Sequence, residues 1–588
     1  MLYMSSDSTD NGSYNLSVTF AVGTDPDIAS VNVQNRVAQA FASLPSEVTA
    51  SGVVTKKSST NMLLLVTLSS PNETYDEVFL SNYASINLKD ALARVPGVGE
   101  AEVMTDYEYS MRMWMDPNRM AGLGLTPADL IKSIREQNLE VSAGQIGTPP
   151  IPKGQQFQYT IKAQGRLTTV QEFENIVLRT GNSGSIVRIR DVARVELGAD
   201  YYNASGRFSG KPATVLAIYQ APGANALAVA DGVKSELKRL STVFPDDIVY
   251  DVPFDSTLFV EQSLNDVVTT LMQTFTLVIA VVFIFLGSFR ATLIPAIAIP
   301  VSLIGTFAFL LLFGMSLNTI SLFALVLAIG IVVDDAIVVV ENVERIIAEE
   351  GLSPRDATRK AMGQITGPVI ATTLVLLAVF VPVTFMPGIV GRLYSQFAIT
   401  ISVAVVISSI NALTLSPALC SLILKARSGP PTGILKVFEQ SIGGVRNGYV
   451  GIVKRLVRLP FLALIILGSI FLGSNFLLKG IPSGFLPTED NGYLFVDVQL
   501  PDAASLERTE KVTTHISNQI LAIPGVASTV VVNGYSLLSG GSSNGAMIVT
   551  NLEPWDDRQT DSLSAQGILQ RIREITNQEN VSPLLQRR

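Results

Sequence analysis

Two adjacent carboxylates interrupt an otherwise apolar stretch of the sequence. Asp334 and Asp335 lie within 319–341, where the long uncharged runs predict a membrane-spanning helix. Asp334 is seven residues before Glu341, which is about 10 Å at 1.5 Å per residue, so the pair lies at depth and not among the headgroups. A charged aspartate there costs at least about 2.5–3.5 kcal/mol on insertion scales. The pair is therefore a functional hypothesis.

Carboxylates this close do not both ionise readily in a low dielectric, so one of them could hold a proton near neutral pH. The two titrate as a pair, and such a pair can bind protons from one side of a membrane and release them to the other. The alternative is a hydrogen-bonded clasp between helices, but a clasp needs no second acid. Because the predicted spans hold no Lys or Arg except Lys479, the last residue of the sixth span, we expect the counter-cation to come from sequence outside this chain.

Six uncharged stretches are long enough to cross a bilayer, which takes about 20 mostly apolar residues. The predicted spans are 266–287, 292–313, 319–341, 366–387, 397–424 and 460–479. One set of connecting loops holds twelve Lys and Arg residues and the opposite set holds one. The positive-inside rule places the first set in the cytoplasm. The long hydrophilic regions 1–265 and 480–588 are then predicted to lie outside.

Composition excludes several classes of function. Of 588 residues, 48% are hydrophobic and only 16% charged, against about 25% charged in soluble proteins. A net charge of −8 argues against nucleic acid as a partner. The single cysteine, Cys420, and single histidine, His515, exclude an internal disulfide framework and argue against a His-based metal site or catalytic triad. No phosphate-binding motif is found. We therefore expect an ion gradient to supply the energy, with no cofactor, no metal and no enzymatic reaction.

The hydrophilic regions alternate between strand and helix patterns. A helix–Pro-Gly-Val–strand unit occurs at Pro96 and again at Pro524, on either side of the membrane block. This echo suggests a duplicated architecture, and two independent βαβ turns are the alternative. Segment 105–199 breaks the pattern with a Pro/Gly-rich turn at 147–154, which predicts an inserted subdomain with a protruding hairpin.

The first residues do not look like a targeting segment. They contain neither the charged region nor the apolar run of a signal peptide. An external region of this size must be translocated, so we expect an upstream signal or span to be missing. We expect the chain to be a fragment that does not transport by itself.

The residues from Gly330 to Arg345 resemble the fourth transmembrane helix of resistance-nodulation-division (RND) exporters, in the hydrophobe/amphiphile, multidrug (acriflavine-resistance) branch. Segments 23–29, 289–295, 357–360 and 415–420 resemble the same family. The resemblance implies a proton/drug antiporter that exports amphiphilic or hydrophobic small molecules across the bacterial envelope. It also implies an inner-membrane homotrimer that works with a periplasmic adaptor and an outer-membrane channel. A related proton-coupled exporter of proteins, lipids or metals, and a membrane-anchored binding module, are the alternatives.

The resemblance also implies a domain organisation, with an α+β membrane fold that has six of an expected twelve helices and periplasmic, ferredoxin-like βαβ porter subdomains. The implied segments are porter subdomains at 1–104 with the first truncated, a docking subdomain with a hairpin at 105–199, the rest of the second porter subdomain at 200–265, five spans at 266–424, a cytoplasmic linker at 425–459, a sixth span at 460–479, and the start of a second porter block at 480–588.

Site residues follow from the same resemblance, with Asp334 and Asp335 as the proton relay. The implied substrate pocket consists of Met62, Glu102, Met104, Tyr202, Asn203, Val530, Tyr535, Leu537 and Ile548. The loop between its access and deep parts would contain Gly534, Gly540 and Gly541. Several relatives carry Phe where this sequence has Met, Val, Leu and Ile, which predicts an adaptable pocket with less stacking. Gly330 lies one helical turn before Asp334 and is expected to let another backbone approach closely.

Overall fold

The computed structural model describes all residues except 9–11, 13, 22, 58–60, 141–142, 152–153, 155, 163–164, 181–183, 426–433, 481–488, 539, 579–581 and 585–588, and at 51, 389, 434–442, 578 and 582–584 it describes the backbone alone. The chain forms two compact units. The first unit combines Met1–Thr257 with Asp490–Arg588, and the second is Leu258–Glu489.

The first unit contains a four-stranded antiparallel sheet that we call the first motif. Its strands are Met62–Ser69, Val98–Val103, Thr214–Gln220 and Val249–Asp255. They lie in the order fourth, first, third, second. Two helical connections complete a βαββαβ arrangement; they are Glu77–Tyr83 with the π-helical turn Ala84–Lys89 and Asp90–Ala93, and Ala226–Ser241.

The second motif has the same order of strands. Its strands are Tyr493–Gln499, Val526–Ser536, Gly540–Leu552 and Ser582–Leu584, and its helices are Leu506–Leu521 and Ala565–Gln578, with a 3-10 turn at Trp555–Asp557. They again lie fourth, first, third, second, and all pairs are antiparallel. The strand Ser205–Phe208 and its partner Lys211–Pro212 extend the sheet beyond Val526–Ser536. The echo at Pro96 and Pro524 therefore marks equivalent points of two similar motifs.

An inserted subdomain lies between the second and third strands of the first motif. The antiparallel pair Tyr109–Met115 and Ala193–Ala199 forms its base. Its helices are Pro117–Gly122, Pro127–Gln137, Val170–Glu174 and Ile189–Val192, and its short hairpins are Gln145–Ile146 with Tyr159–Thr160 and Val177–Thr180 with Ile186–Arg188. It has its own apolar core around Phe173, Ile189 and Val192. The predicted turn at 147–154 lies within the first hairpin, although residues 152–153 are outside the described residues.

The N-terminal segment pairs Tyr3–Ser8 with Tyr14–Thr19 and continues into the helices Pro26–Ala40, Phe41–Ser43 and Ser46–Ser51. The Asp25 carboxylate accepts hydrogen bonds from the backbone N–H groups of Asp27 at 2.8 Å and Ile28 at 3.2 Å. An aspartate cap followed by proline at the first helical position is a favourable helix start. Asp25 followed by Pro26 therefore predicts a helix start from the sequence alone, and the structure has a helix beginning at Pro26.

Six helices of the second unit, among the residues described, are long and apolar enough to cross a membrane. They are Thr257–Leu286, Phe289–Leu312, Thr319–Glu350, Pro354–Val383, Val390–Ile423 and Pro460–Leu478. The fifth consists of Gly388–Leu413 followed by Leu415–Ile423. The sequence predicts the same number of apolar helices, and several of the helices in the structure run well past the predicted limits.

The linker predicted at 425–459 contains the helix Ile434–Arg458. Residues 426–433 of this linker lie outside the described residues. A second difference concerns the expected loop at 534–541. Most of it belongs to the strands Val526–Ser536 and Gly540–Leu552, which form one long hairpin.

Candidate functional site

The two aspartates lie on the helix Thr319–Glu350, whose ends are well defined. At its start the Asn318 side chain accepts from the Ser321 N–H at 2.9 Å, and the Ser321 hydroxyl accepts from the Asn318 N–H at 2.9 Å. The helix ends at Gly351, which has a φ of 66°. A reciprocal cap and a left-handed glycine are efficient helix boundaries. The register of the acid pair along the helix is thereby fixed.

Asp335 faces a neighbouring helix. The Ser408 hydroxyl, on Gly388–Leu413, lies 3.0 Å from Oδ2 of Asp335 and 3.1 Å from the carbonyl oxygen of Val332. A hydroxyl has a single proton to donate. The Ser408 hydroxyl therefore donates either to the carboxylate or to the carbonyl oxygen, and which of the two accepts depends on the charge of Asp335.

Asp334 faces an open groove of about 600 Å³ instead. The groove runs between two helices of the second unit. Its other lining residues are Gly330, Ile331, Ala371, Thr372, Val375 and Leu376. Among the residues that the structure describes, no Lys or Arg nitrogen lies within 4.0 Å of either aspartate. The two carboxylates are thus adjacent in sequence but have different surroundings.

The packing role expected for Gly330 is not found in the described part of the chain. A Cβ atom built on Gly330 would meet no heavy atom within 4 Å. No other backbone approaches the glycine there, because it lies at the edge of the groove next to Asp334. Close packing on Gly330 would require a residue that the structure does not describe.

A second candidate site lies where the sheets of the two motifs face each other. We call its buried residues the inter-sheet cluster; they are Leu65, Val215, Ala217, Phe254, Val530, Val532, Met547 and Val549. The first four come from the first motif and the others from the second motif. The Phe254 and Tyr493 rings meet edge to face, with 4.7 Å between their centroids.

Most of the predicted pocket residues come together at this cluster. Val530 is one of its buried members, and Met62, Met104, Tyr535 and Leu537 pack against it while remaining partly exposed. All five therefore contribute to one apolar surface.

Ile548 is an exception to the predicted pocket. It belongs to the core between the second sheet and its helices. Its neighbours Met547 and Val549 face the inter-sheet cluster. Because side chains alternate across a strand, Ile548 must point to the opposite face. The assignment of Ile548 to the pocket surface is therefore wrong.

The Glu102 side chain is exposed. Its neighbours Ala101 and Val103 are buried in the core of the first motif, so its own side chain leaves the opposite face of the strand. The surrounding protein raises the pKa of Glu102 through desolvation, and nearby Glu100 raises it further. The Glu102 charge in turn contributes to raising the pKa of Tyr535.

Tyr202 and Asn203 make different contacts. The Arg112 guanidinium lies over the Tyr202 ring, 5.0 Å from its centroid, and the Ala199 N–H donates to the Tyr202 hydroxyl at 3.0 Å. Asn203 meets the predicted loop through its backbone. Neither side chain is part of the inter-sheet cluster as described. The pocket assignment is thus unsupported for Tyr202, and Asn203 adjoins the site only through its carbonyl group.

The three glycines of the predicted loop have different environments. Tyr535 pairs with Gly541 and Ser536 with Gly540, which leaves 537–539 as the hairpin tip. Gly534 has a φ of 84°, and a Cβ there would lie 2.0 Å from the Asn203 carbonyl oxygen. Gly540 has a φ of 73°. Glycine is required at Gly534 both by its backbone conformation and by its close neighbour.

The sequence analysis missed two polar residues at these sites. Ser408 lies in an apolar helix close to the buried Asn411, and polar residues in such a helix could have drawn attention to it. Asp497 is buried in the strand Tyr493–Gln499. It shares a strand face with Tyr493 and Phe495, which pack against the inter-sheet cluster, so the alternation of the strand could have revealed it.

Comparison with known proteins gives one consistent result. Residues 1–584 match the family described as the AcrB/AcrD/AcrF family. The chain is 42% identical over 579 residues to the multidrug export protein AcrF of Escherichia coli K12, covering 97% of this chain and 56% of AcrF. It is 41% identical over 576 residues to the multidrug resistance protein MdtF of E. coli O157:H7, covering 97% and 55%.

A relative from another genus is similar to nearly the same degree. The solvent-resistant pump membrane transporter SrpB of Pseudomonas putida is 39% identical over 582 residues, covering 97% of this chain and 55% of SrpB. The chain therefore spans about half the length of the relatives it matches.

Proposed function

The chain belongs to the AcrB/AcrD/AcrF family of RND transporters, and from this premise we propose that the protein exports amphiphilic or hydrophobic small molecules in exchange for protons. It acts as a secondary transporter without a cofactor, and the proton gradient supplies the energy. Multidrug and solvent pumps among its relatives support this choice over the export of proteins, lipids or metals.

The different surroundings of Asp334 and Asp335 are the observation that carries the proposal. Deprotonated Asp335 accepts a hydrogen bond from Ser408, whereas the protonated group can itself donate. The gain or loss of a proton therefore changes the contact between Thr319–Glu350 and Gly388–Leu413. Asp334, which faces the groove, gives protons access to the pair. Together the two acids form the proton relay.

The apolar surface at the inter-sheet cluster is the proposed substrate site. Met62 and Met104 supply flexible, polarisable thioether side chains that suit ligands of varied shape. Tyr535 and Leu537 reach the same surface from the hairpin. Glu102 provides a carboxylate that attracts positively charged amphiphiles. Gly534, Gly540 and Gly541 shape the hairpin that divides the site.

The assembly is proposed to be an inner-membrane homotrimer with a periplasmic adaptor and an outer-membrane channel. Both hydrophilic regions lie in the periplasm, and 105–199 docks onto a neighbouring subunit. The separate core of this insertion supports an independent docking role. The topology is testable, because a cysteine introduced at Ser353 should resist a membrane-impermeant thiol reagent added from outside.

The proposal is tested in an efflux-deficient bacterial host that expresses the protein as its gene encodes it. We expect energy-dependent extrusion of an amphiphilic dye that a protonophore abolishes. The double variant Asp334→Asn, Asp335→Asn should lose extrusion while reaching the membrane in normal amounts. Glu341→Gln is the matched control, since it removes an acid from the same helix and should keep extrusion. Dye extrusion by the double variant would contradict the proposal.

A further inference from the structure

Asp497 is a carboxylate in apolar surroundings at the proposed substrate site. It is only 2% exposed. Tyr493 and Phe495, on the same face of its strand, pack against the inter-sheet cluster. Its partner on the next strand is Met547, a buried member of that cluster. The Asp497 side chain therefore projects from the face that lines the cluster.

Both oxygens of this carboxylate are bound by the hairpin tip. The Leu537 N–H donates to Oδ1 at 2.8 Å, and the Ser536 hydroxyl donates to Oδ2 at 3.0 Å. The Ser536 oxygen also accepts from the Leu538 N–H at 3.1 Å. One side chain thus connects to Ser536 at the end of the strand, to Leu537 of the tip and, through Ser536, to Leu538.

These bonds matter because few other groups satisfy the Asp497 charge. Burial raises the pKa of Asp497, and the bonds from Leu537 and Ser536 oppose that rise. Among the residues described, no ion pair reaches Asp497. An apolar residue in its place would leave the Leu537 N–H and the buried Ser536 hydroxyl without this acceptor. A buried donor that loses its acceptor is strongly disfavoured.

We propose that Asp497 is a positioning residue for the hairpin tip. Its carboxylate holds 536–538 in place so that Tyr535 and Leu537 pack on the inter-sheet cluster. The part of this inference that concerns ligand binding rests on the proposed function, because the cluster is the proposed substrate site. When the tip is released, Tyr535 and Leu537 no longer present a fixed surface, so ligand binding weakens more than turnover.

A spin label at the tip tests the positioning role without any transport measurement. Leu538 is 40% exposed and accepts a label after Leu538→Cys, in a protein from which Cys420 and any other cysteine have been removed. Asp497→Val should at least double the mobile fraction of the label. Asp497→Asn should leave mobility unchanged, because its oxygen still accepts from Leu537 and its amide can donate to Ser536. Asp502→Val, an exposed acid in the following loop, is the matched control.

Ser536→Ala provides a milder variant in case Asp497→Val does not fold. It removes one of the two bonds to Asp497 and should give an intermediate mobile fraction. Wild-type mobility in both Asp497→Val and Ser536→Ala would overturn the proposal. So would Asp497→Asn behaving like Asp497→Val, because the negative charge and not the hydrogen bonds would then hold the tip.

Transport kinetics separate this proposal from the proposed function. For a fluorescent amphiphile, Asp497→Val should raise the apparent KM at least fivefold and change the maximal rate less than twofold, and Asp497→Asn should change neither twofold. If both variants changed the apparent KM and the maximal rate by the same factor, the positioning role would be contradicted. If the spin-label results are as expected but the wild type extrudes no amphiphile, the positioning role holds and the proposed function fails.

Discussion

The two βαββαβ motifs have the same order of strands but differ in the connection between their second and third strands. In the first motif this connection is 104–213 and includes an inserted subdomain with its own core. In the second motif it is the three-residue tip 537–539. Both the long and the short connection are compatible with the same strand order, because the connection leaves the sheet at an end and need not enter its core.

The two motifs also share a local solution to one geometric problem. After the first helical connection the chain must turn sharply into the second strand. Gly97 has a φ of 89° and Gly525 a φ of 94° at this turn. Only glycine adopts such a conformation readily. The short Pro-Gly-Val echo in the sequence thus has a physical cause, and the two turns can be compared directly.

The largest expected effect concerns the hairpin that only the second motif possesses. Gly534→Ala would place a Cβ 2.0 Å from the Asn203 carbonyl oxygen at a φ of 84°. We expect the free energy of unfolding to fall by about 3 kcal/mol or more, since neither backbone can move easily. Gly541→Ala is the control, because its nearest atom lies 4.0 Å away. Thermal unfolding in detergent measures the stability of both variants. Equal losses of stability in the two would show that the hairpin tolerates displacement.

Alanine at the two equivalent turns should destabilise the motifs unequally. A Cβ at Gly97 would lie 2.5 Å from Cγ2 of Val229, and one at Gly525 would lie 3.0 Å from Cδ1 of Ile568. At both positions alanine costs about 1–2 kcal/mol of stability because the backbone is left-handed. Gly97→Ala should cost more, because Val229 is branched close to its backbone whereas the end of Ile568 can shift. The reverse order in thermal unfolding would mean that the two turns are not equivalent.

A smaller effect is expected where the first half of the chain joins the second motif. Arg207 contacts Glu510, with 2.5 Å between Nη2 and Oε1, and their side chains are 23% and 27% exposed. Arg207→Met should lower stability by about 1–2 kcal/mol, since it leaves a half-buried carboxylate unpaired. Burial raises the pKa of Glu77 and Arg207 opposes that rise, so the variant should raise the pKa of Glu77 further.

The control is the exposed pair Lys511 and Glu507 on the same helix, whose side chains are 75% and 76% exposed. Lys511→Met should leave stability nearly unchanged, because a fully exposed ion pair contributes little. Adding Glu510→Gln to Arg207→Met should restore part of the loss. If Arg207→Met and Lys511→Met lower the stability equally in thermal unfolding, the ion pair of Arg207 with Glu510 does not stabilise this junction.

The smallest effect is a difference in pH response between the loops that follow the first strands. In the first motif Asp247 accepts from the Ser70 hydroxyl and from the N–H groups of Asn72 and Thr74, and these hydrogen bonds, above all the one from Ser70, lower its pKa to about 2. In the second motif the uncharged Asn544 side chain donates to Leu500 at 3.0 Å. The Asp247 contribution is present above pH 3.8, its ordinary pKa, and is lost as the pH falls through about 2.

Hydrogen exchange at 70–75 and 500–505 measures this difference once intrinsic rates are corrected. Asp247→Asn should reduce protection of the first loop at neutral pH, and its difference from the wild type should shrink toward pH 2. Asn544→Ala should have an effect that does not depend on pH. A pH-dependent response in both loops would point to a cause other than Asp247.

The predictions that succeeded depend on short-range patterns. The number of apolar helices follows from uncharged runs, and the helix after Asp25 follows from its cap. The strand Gly540–Leu552 was missed because its first residues are rich in Gly and Ser and look like a loop. It pairs with Val526–Ser536 in the hairpin and also with a distant strand, Tyr493–Gln499. The pairing with a distant strand leaves no local pattern in the sequence.

The candidate sites show the same limit. The acid pair was identified because charge in an apolar helix is conspicuous, but no local pattern predicts that Ser408 contacts Asp335. Ile548 was misassigned because resemblance gave its position and not the direction of its side chain. For Gly330 its position one helical turn before Asp334 predicted close packing, whereas the described chain leaves an open groove there.

The central claim is that Asp334 and Asp335 couple proton movement to export, and proton flux in proteoliposomes tests it most directly. The protein as its gene encodes it is reconstituted with an internal pH dye, and an amphiphilic substrate is added under an imposed pH gradient. We predict substrate-stimulated proton flux in the wild type and in Glu341→Gln, and none in Asp335→Asn. Substrate-stimulated flux in Asp335→Asn equal to that of the wild type would contradict the account.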